Sequence, residues 1–300
     1  MQAYVDELYR LTEEVDAFYL RPGRETMVQH SEHFLWPADR LIAHYVSDPK
    51  LRELLAYMNP MYGGVAGHTP AYIHALINVL YIEGTTRFEG GSRQLADALQ
   101  FVIEEAGGKV VPRAEVAQVE VVERKVRRVV TQDGTSYTAD RYIAAVHPCE
   151  LLRVIDAPAF PKSYRDRLEA IPNTYSAFTL FIELKERAFP YINHTYHHVW
   201  QLADYGEDWP RGFMYMTPPE VGQGAWASRL IIHSPMPYDA VRPWAHTHTG
   251  CRREAYESWK IALCNRILDS MEMLYPDFRR TVKHVYTATP LTIRDYYHTK

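Results

Sequence analysis

The chain has 300 residues, 47% hydrophobic and 23% charged, with a net charge of −4. That balance fits one or two buried cores, and no Lys/Arg block accompanies aromatic residues, which excludes a nucleic-acid binder. Three scattered cysteines, Cys149, Cys251 and Cys264, make neither a disulfide framework nor a metal knuckle and point to a reducing compartment, taken as the cytoplasm.

Residues 1–88 read as mainly helical. Tyr4, Val5, Leu8, Leu11 and Val15 follow the i, i+3/i+4 rhythm of an amphipathic helix. Charges among these residues argue against a signal peptide. Asp48-Pro49 supplies an N-cap and first-turn proline for a helix through Leu51, Leu54, Leu55 and Met58, stopped by Pro60 and Gly63-Gly64. A third helix is predicted from Thr69-Pro70 to about Ile82. It is the most apolar stretch, yet it contains His74 and Asn78 and is too short to cross a bilayer.

From Phe88 the pattern changes. Leu95, Leu99, Val102, Ile103 and Ala106 mark one helix face, with Gly107-Gly108 as its stop. Strands are predicted at 109–111, 116–122, 126–131, 135–138 and 141–146, with Asp133-Gly134 as a hairpin turn. A short helix near 162–171 precedes a strand at 176–184. Further strands are predicted at 195–201, 212–217, 228–234 and 282–287, with Pro210, Pro218-Pro219, Pro235 and Pro237 as breakers between them. The best helix runs from about Arg252 to Tyr275, striped by Tyr256, Trp259, Leu263, Ile267, Met271 and Leu274, and Pro276 ends it.

Few residues announce chemistry. Gly90-Gly91 before a helix could leave amides open to an anion, although a loop that needs positive φ is the plainer reading. Gly222-Gln223-Gly224-Ala225-Trp226-Ala227 spells a dinucleotide-like pattern but lies between Pro218-Pro219 and a β-like run, so it reads as a loop. The pairs His30/His33 and His246/His248 and the cluster His194, His197 and His198 invite a metalloenzyme reading, since two histidines at i, i+2 on a strand share a face, but no HExxH and no Asp/Glu constellation completes a ligand set, and surface or core histidines are the plainer reading. No nucleophile elbow or phosphate-binding loop is present. Aromatic content of 13%, with 22 tyrosines, suits the walls of a large apolar pocket or a Tyr-rich sheet core equally.

The order Gly90-Gly91-Ser92-Arg93-Gln94-Leu95, Ala106-Gly107-Gly108-Lys109-Val110-Val111, Ala114-Glu115-Val116, Asp133-Gly134 and Tyr142–Pro148 resembles the middle of phytoene desaturase-like flavoproteins. Ile171–Phe178 leading into Leu180–Lys185, Phe189–His194, and above all Thr287–Tyr296 resemble the retinol saturase branch of that family. The likeness runs from about Ser31 to the end.

It implies an α/β (mixed α+β) fold: a partial Rossmann-like FAD domain with a β-meander, plus a mixed-sheet and helical substrate domain. The implied division is 1–88 and 156–285 for the substrate domain, 89–155 for the FAD domain, and 286–300 returning toward it. The implied cofactor is FAD, with NAD(P) as electron donor or acceptor, and hydride passes between flavin and a carbon–carbon double bond of a polyene or other lipid.

Val116, Ala145, His147 and Pro148 match cofactor-contacting positions. Without the resemblance, Val116 is simply a strand residue. Tyr62 with Gly63, and Tyr296 beside Arg294 and Asp295, are the substrate-side candidates; a packed tyrosine and a surface ion pair are their plainer readings. No catalytic acid or base stands out. Peripheral membrane contact through Phe34-Leu35-Trp36 or the 70–82 helix is one expectation, and burial of both in the core is the plainer one. Oligomeric state is not legible.

The family's strand–GxGxxG–helix has no counterpart before Met1-Gln2-Ala3, nor has its Gly-rich closing segment after Lys300. The chain is therefore expected to be an internal part of the enzyme that binds FAD weakly or not at all. The competing expectation is a lipid-binding module that has lost the flavin.

Overall fold

The computed structural model describes residues 1–22, 30–155, 159–199 and 212–297. In chain order come α1 (Gln2–Glu13), α2 (Ala38–Tyr45), α3 (Pro49–Ala56), α4 (Ala71–Glu83), α5 (Arg93–Glu105), β1 (Val116–Val122), β2 (Lys125–Thr131) and β3 (Ser136–Tyr137). Then follow α6 (Pro148–Val154), α7 (Lys162–Ala170), β4 (Tyr175–Leu184), β5 (Tyr196–Val199), β6 (Gly212–Met216) and β7 (Arg229–Pro237). The last elements are α8 (Arg253–Leu274), α9 (Phe278–Thr281), β8 (Val282–Ala288) and α10 (Pro290–Tyr297). They divide into two compact units: residues 1–91, 174–244 and 253–290 form the first, and 92–173, 245–252 and 291–300 the second.

The first unit contains a helical core and a sheet. Tyr4, Leu8 and Leu11 of α1 pack with Leu41 and Ile42 of α2 and with Ala71, Ala75 and Val79 of α4. Two alanines at i, i+4 let α4 come close to α1, so this apolar helix is a core element, although Leu80, Tyr81 and Ile82 at its end are exposed. Asp48 caps α3 as expected, its Oδ1 accepting from the amides of Lys50 (2.8 Å) and Leu51 (3.3 Å), an interaction worth about 1 kcal/mol. The sheet has strand order β5-β6-β7-β4-β8, antiparallel throughout.

Period-2 alternation gives this sheet two faces. Phe178, Leu180 and Ile182 of β4 stand beside Leu230, Ile232 and Ser234 of β7, and all are buried. Phe178 meets Trp259, and the hydroxyls of Tyr215 and Tyr275 lie 2.9 Å apart, so α8 covers this face. The expected α8 stripe is buried at Tyr256, Leu263, Ile267 and Met271, whereas Leu274 is exposed. Pro235 and Pro237 do not end β7 as the sequence suggests. They pair with Ala177 and Tyr175 of β4, and β6 pairs with β7 only at residues 231–233, so no ladder hydrogen bond is lost on the open side.

In the second unit, β1, β2 and β3 form the expected meander. Asp133 Oδ1 accepts from the Thr135 amide (3.0 Å) and the Thr131 hydroxyl (2.6 Å), and Gly134 takes φ +84° in the turn. Two predicted strands do not form. Residues 109–111 and 141–146 carry β-favouring side chains, but no strand among the described residues pairs with them, and propensity without a ladder partner makes no strand. The predicted α5 is present, yet Leu95, Leu99, Phe101, Val102 and Ile103 are all exposed. Among the described residues, α6 and α10 in the second unit and α2 and α9 in the first escape the sequence reading.

Candidate functional site

The second face of the five-stranded sheet stays partly open. One transverse row crosses all five strands, His197–Met214–His233–Thr179–Ala288, each residue directly opposite the next. The adjoining row is Met216–Ile231–Phe181–Tyr286. Phe181 and Tyr286 are exposed, and Met214, Met216, Ile231 and His233 are half-buried. Two methionines give an apolar, polarizable and adaptable surface. At the β5 end, the ring of Tyr57 meets His197 edge-on at 5.6 Å and 89°, so the segment after α3 lies over that corner.

His233 and Thr179 form a polar pair at the middle of this face. Thr179 is buried, and its Oγ1 lies 2.8 Å from His233 Nδ1. Burial pushes the His233 pKa down, so the ring is neutral near pH 7. With Nδ1 engaged, Nε2 has no hydrogen-bond partner among the described residues. Sequence reading does not single out this pair. Alternation along Arg229–His233 places His233 with Ile231, but only the strand register brings Thr179 to it.

Tyr62 and Gly63 sit together in the first unit, where their constraints are structural. The Tyr62 hydroxyl donates to Asn59 Oδ1. That oxygen also lies 2.9 Å from His74 Nδ1, and His74 Nε2 is 2.6 Å from the Tyr4 hydroxyl. The Asn78 amide nitrogen also lies 3.1 Å from Nδ1, but the shorter contact is to the Asn59 oxygen, which can only accept, and this assigns the proton to Nδ1 and leaves Nε2 to accept from Tyr4. His74 is fully buried, which pushes its pKa down to about 4. Gly63 takes φ +78°, and a Cβ there would stand 2.8 Å from Thr174 Oγ1. The turn therefore needs glycine to rest against the start of β4. The packed-tyrosine reading fits Tyr62 better than a free ligand contact does.

A cavity of about 710 Å³ opens in the same unit, with Tyr81, Arg87, Glu89, Tyr191, His194 and His197 in its wall. Its size suits a small molecule, for which roughly 300–1,000 Å³ is usual. Arg87 Nη1 donates to the Thr217 carbonyl at 3.1 Å, fixing one cation at the wall. His197 belongs both to this cavity and to the open row of the sheet.

The four cofactor candidates lie in the second unit. Val116 opens β1 opposite Thr131 and is exposed. Ala145 lies in the unpaired, exposed 141–146 segment. His147 caps α6, its Nδ1 accepting from the Cys149 amide at 3.3 Å, and Pro148 takes the first helical position. Gly90 and Gly91 take φ +79° and +96°, as the plainer reading of that pair requires.

Tyr296 is exposed on α10 in this unit. The neighbouring ion pair is not superficial, contrary to its plainer reading: Asp295 is bound by Arg252, by Arg294 (2.7 Å) and by the Thr249 amide and hydroxyl (3.0 and 2.8 Å). Arg294 also donates to the carbonyls of Ala245 and Thr247. His197 and His198 fall on opposite faces of β5. No group of three or more His, Cys, Asp or Glu among the described residues is placed to hold a metal ion.

Residues 19–244 match the family described as flavin containing amine oxidoreductase. The chain is 23% identical over 276 residues to an all-trans-retinol 13,14-reductase of Danio rerio, covering 82% of this chain and 45% of that protein. It is 28% identical over 156 residues to a lycopene-forming phytoene desaturase of a Paracoccus species, covering 51% of this chain and 31% of that one. The chain thus spans less than half the length of these curated relatives. In structure it is similar to an oxidoreductase from Methanosarcina mazei, with TM-score 0.59 and 16% identity over 96% of this chain and 63% of that one.

Proposed function

The chain belongs to the flavin containing amine oxidoreductase family, and from that premise we propose that it forms the substrate-side portion of an enzyme exchanging hydride between FAD and a carbon–carbon double bond of a retinoid, carotenoid or related lipid. The observation that carries this reading is the open sheet face of Met214, Met216, Ile231 and Phe181. A long apolar chain laid on it removes apolar surface from water on both partners, worth about 25 cal/mol per Å². Relatives named for a retinoid and a carotenoid reaction support the substrate class.

FAD supplies the hydride chemistry when bound. In this chain, Val116, Ala145, His147 and Pro148 suit the wall of a flavin nucleotide site rather than its grip. They offer apolar and backbone contact, and none carries the fixed cation that a diphosphate favours. NAD(P) is the proposed outside electron carrier. Substrates of this class reside in bilayers, and exposed Leu35, beside buried Phe34, is the proposed point of peripheral membrane contact for an otherwise cytoplasmic protein.

The test is fluorescence titration of the purified chain with all-trans-retinol, together with flavin absorbance after FAD addition and removal of excess. Micromolar retinol binding that Ile231→Glu abolishes, with little flavin retained, is expected. Failure to bind retinol, or binding indifferent to Ile231→Glu, overturns the lipid reading. Tight flavin retention overturns the weak-grip reading alone. The open sheet face requires no flavin, which favours one second reading, lipid binding without redox chemistry. Turnover of retinol by the FAD-supplemented chain with a chemical reductant would exclude it.

A further inference from the structure

Around His233 the open face is apolar, and this imidazole, unlike His197 at the β5 edge, is held by a hydrogen bond. His233 lies in the middle strand row, flanked across the ladder by Met214 and Thr179 and along its own strand by Ile231 and Pro235. Thr179 Oγ1 fixes Nδ1 at 2.8 Å, while Nε2 has no partner among the described residues. A half-buried hydrogen-bonding atom on an apolar surface, with its ring already oriented, is arranged to meet one polar group of a ligand.

The tautomer narrows which group. If the Thr179 hydroxyl donates to Nδ1, Nε2 carries the proton and donates; if it accepts, Nε2 is itself an acceptor. A carbonyl satisfies only the first arrangement, whereas a hydroxyl, donor and acceptor together, satisfies both. We propose that His233, positioned by Thr179, is a specificity-determining residue that binds the hydroxyl of an otherwise apolar, long-chain alcohol lying on the sheet. This deepens the lipid reading given above and rests on it: the favoured substrate is an isoprenoid-type alcohol rather than a bare hydrocarbon. Nothing in it depends on the flavin.

The test compares two ligands on the full chain: all-trans-retinol, and the hydrocarbon in which hydrogen replaces its hydroxyl. One hydrogen bond predicts that retinol binds about 5- to 10-fold tighter to the wild type. His233→Leu should bring the two affinities together by weakening retinol alone. Thr179→Val should reduce the preference, and His233→Gln, which keeps a hydrogen-bonding group, should retain part of it. The ratio of the two affinities is the readout, because a general loss of structure lowers both alike.

Equal affinities in the wild type overturn the proposal while leaving the lipid reading intact, and that comparison needs no variant to fold. A preference that survives His233→Leu overturns it in the same way. If neither ligand binds, the lipid reading falls and this proposal with it.

Discussion

A histidine buried without a charged partner states its own pH dependence. His74 is fully enclosed, donates from Nδ1 to Asn59 and accepts at Nε2 from Tyr4. Its pKa in the folded chain is about 4, against 6.5 when unfolded. Below pH 6.5 the unfolded chain takes up a proton that the folded one refuses. The stability that His74 contributes is therefore complete above pH 6.5 and is lost as pH falls toward 4, by up to about 3 kcal/mol. Urea midpoints between pH 4 and 7 measure this, and His74→Gln should flatten the dependence while lowering stability at pH 7 by about 2 kcal/mol. A midpoint independent of pH for the wild type would contradict the enclosure. Sequence shows His74 only as a polar interruption in an apolar run. Its partners are 70 and 15 residues away, so their meeting is a tertiary fact.

At the scale of elements, α10 is tied to the 245–252 segment by charge, not by an apolar stripe. Asp295 sits between Arg252 and Arg294, and these pairings hold its pKa down to about 2 despite the opposing effect of burial. Its contribution is present above the ordinary value of 3.8 and lost as pH falls through 2. Asp295→Asn removes the carboxylate that pairs with the nearly enclosed Arg252 and should cost about 3 kcal/mol, read from thermal unfolding at pH 7.

The opposite outcome is expected on α5, whose apolar residues are exposed. Leu99→Lys with Phe101→Lys should change stability by less than about 0.5 kcal/mol per site and lower the binding of a hydrophobic dye to the native protein. Leu8→Ala in the α1 core should cost about 2–5 kcal/mol in the same urea titration. The two helices have similar amphipathic patterns. Only burial separates them.

Across the whole molecule, the elements legible before folding are those that local chemistry controls. Asp48-Pro49 starts a helix because its carboxylate reaches two free amides, and Asp133-Gly134 turns a hairpin because glycine tolerates positive φ. The β4 segment declares itself through a run of β-favouring residues and α8 through its 3.6-residue stripe, and the ordered motifs place the chain in its flavoprotein family. Tertiary structure decided the rest. Residues 141–146 have strand chemistry yet form no strand, because a ladder needs a partner that no local pattern specifies. Pro235 and Pro237 sit inside β7 because β6 stops short of them, a matter of strand order that local propensity does not encode. The open row from His197 to Ala288 draws residues from five strands spread over positions 179 to 288. Side-chain alternation fixes which residues share a face of one strand, whereas register between strands fixes which of them meet, and register is set by packing of the whole sheet.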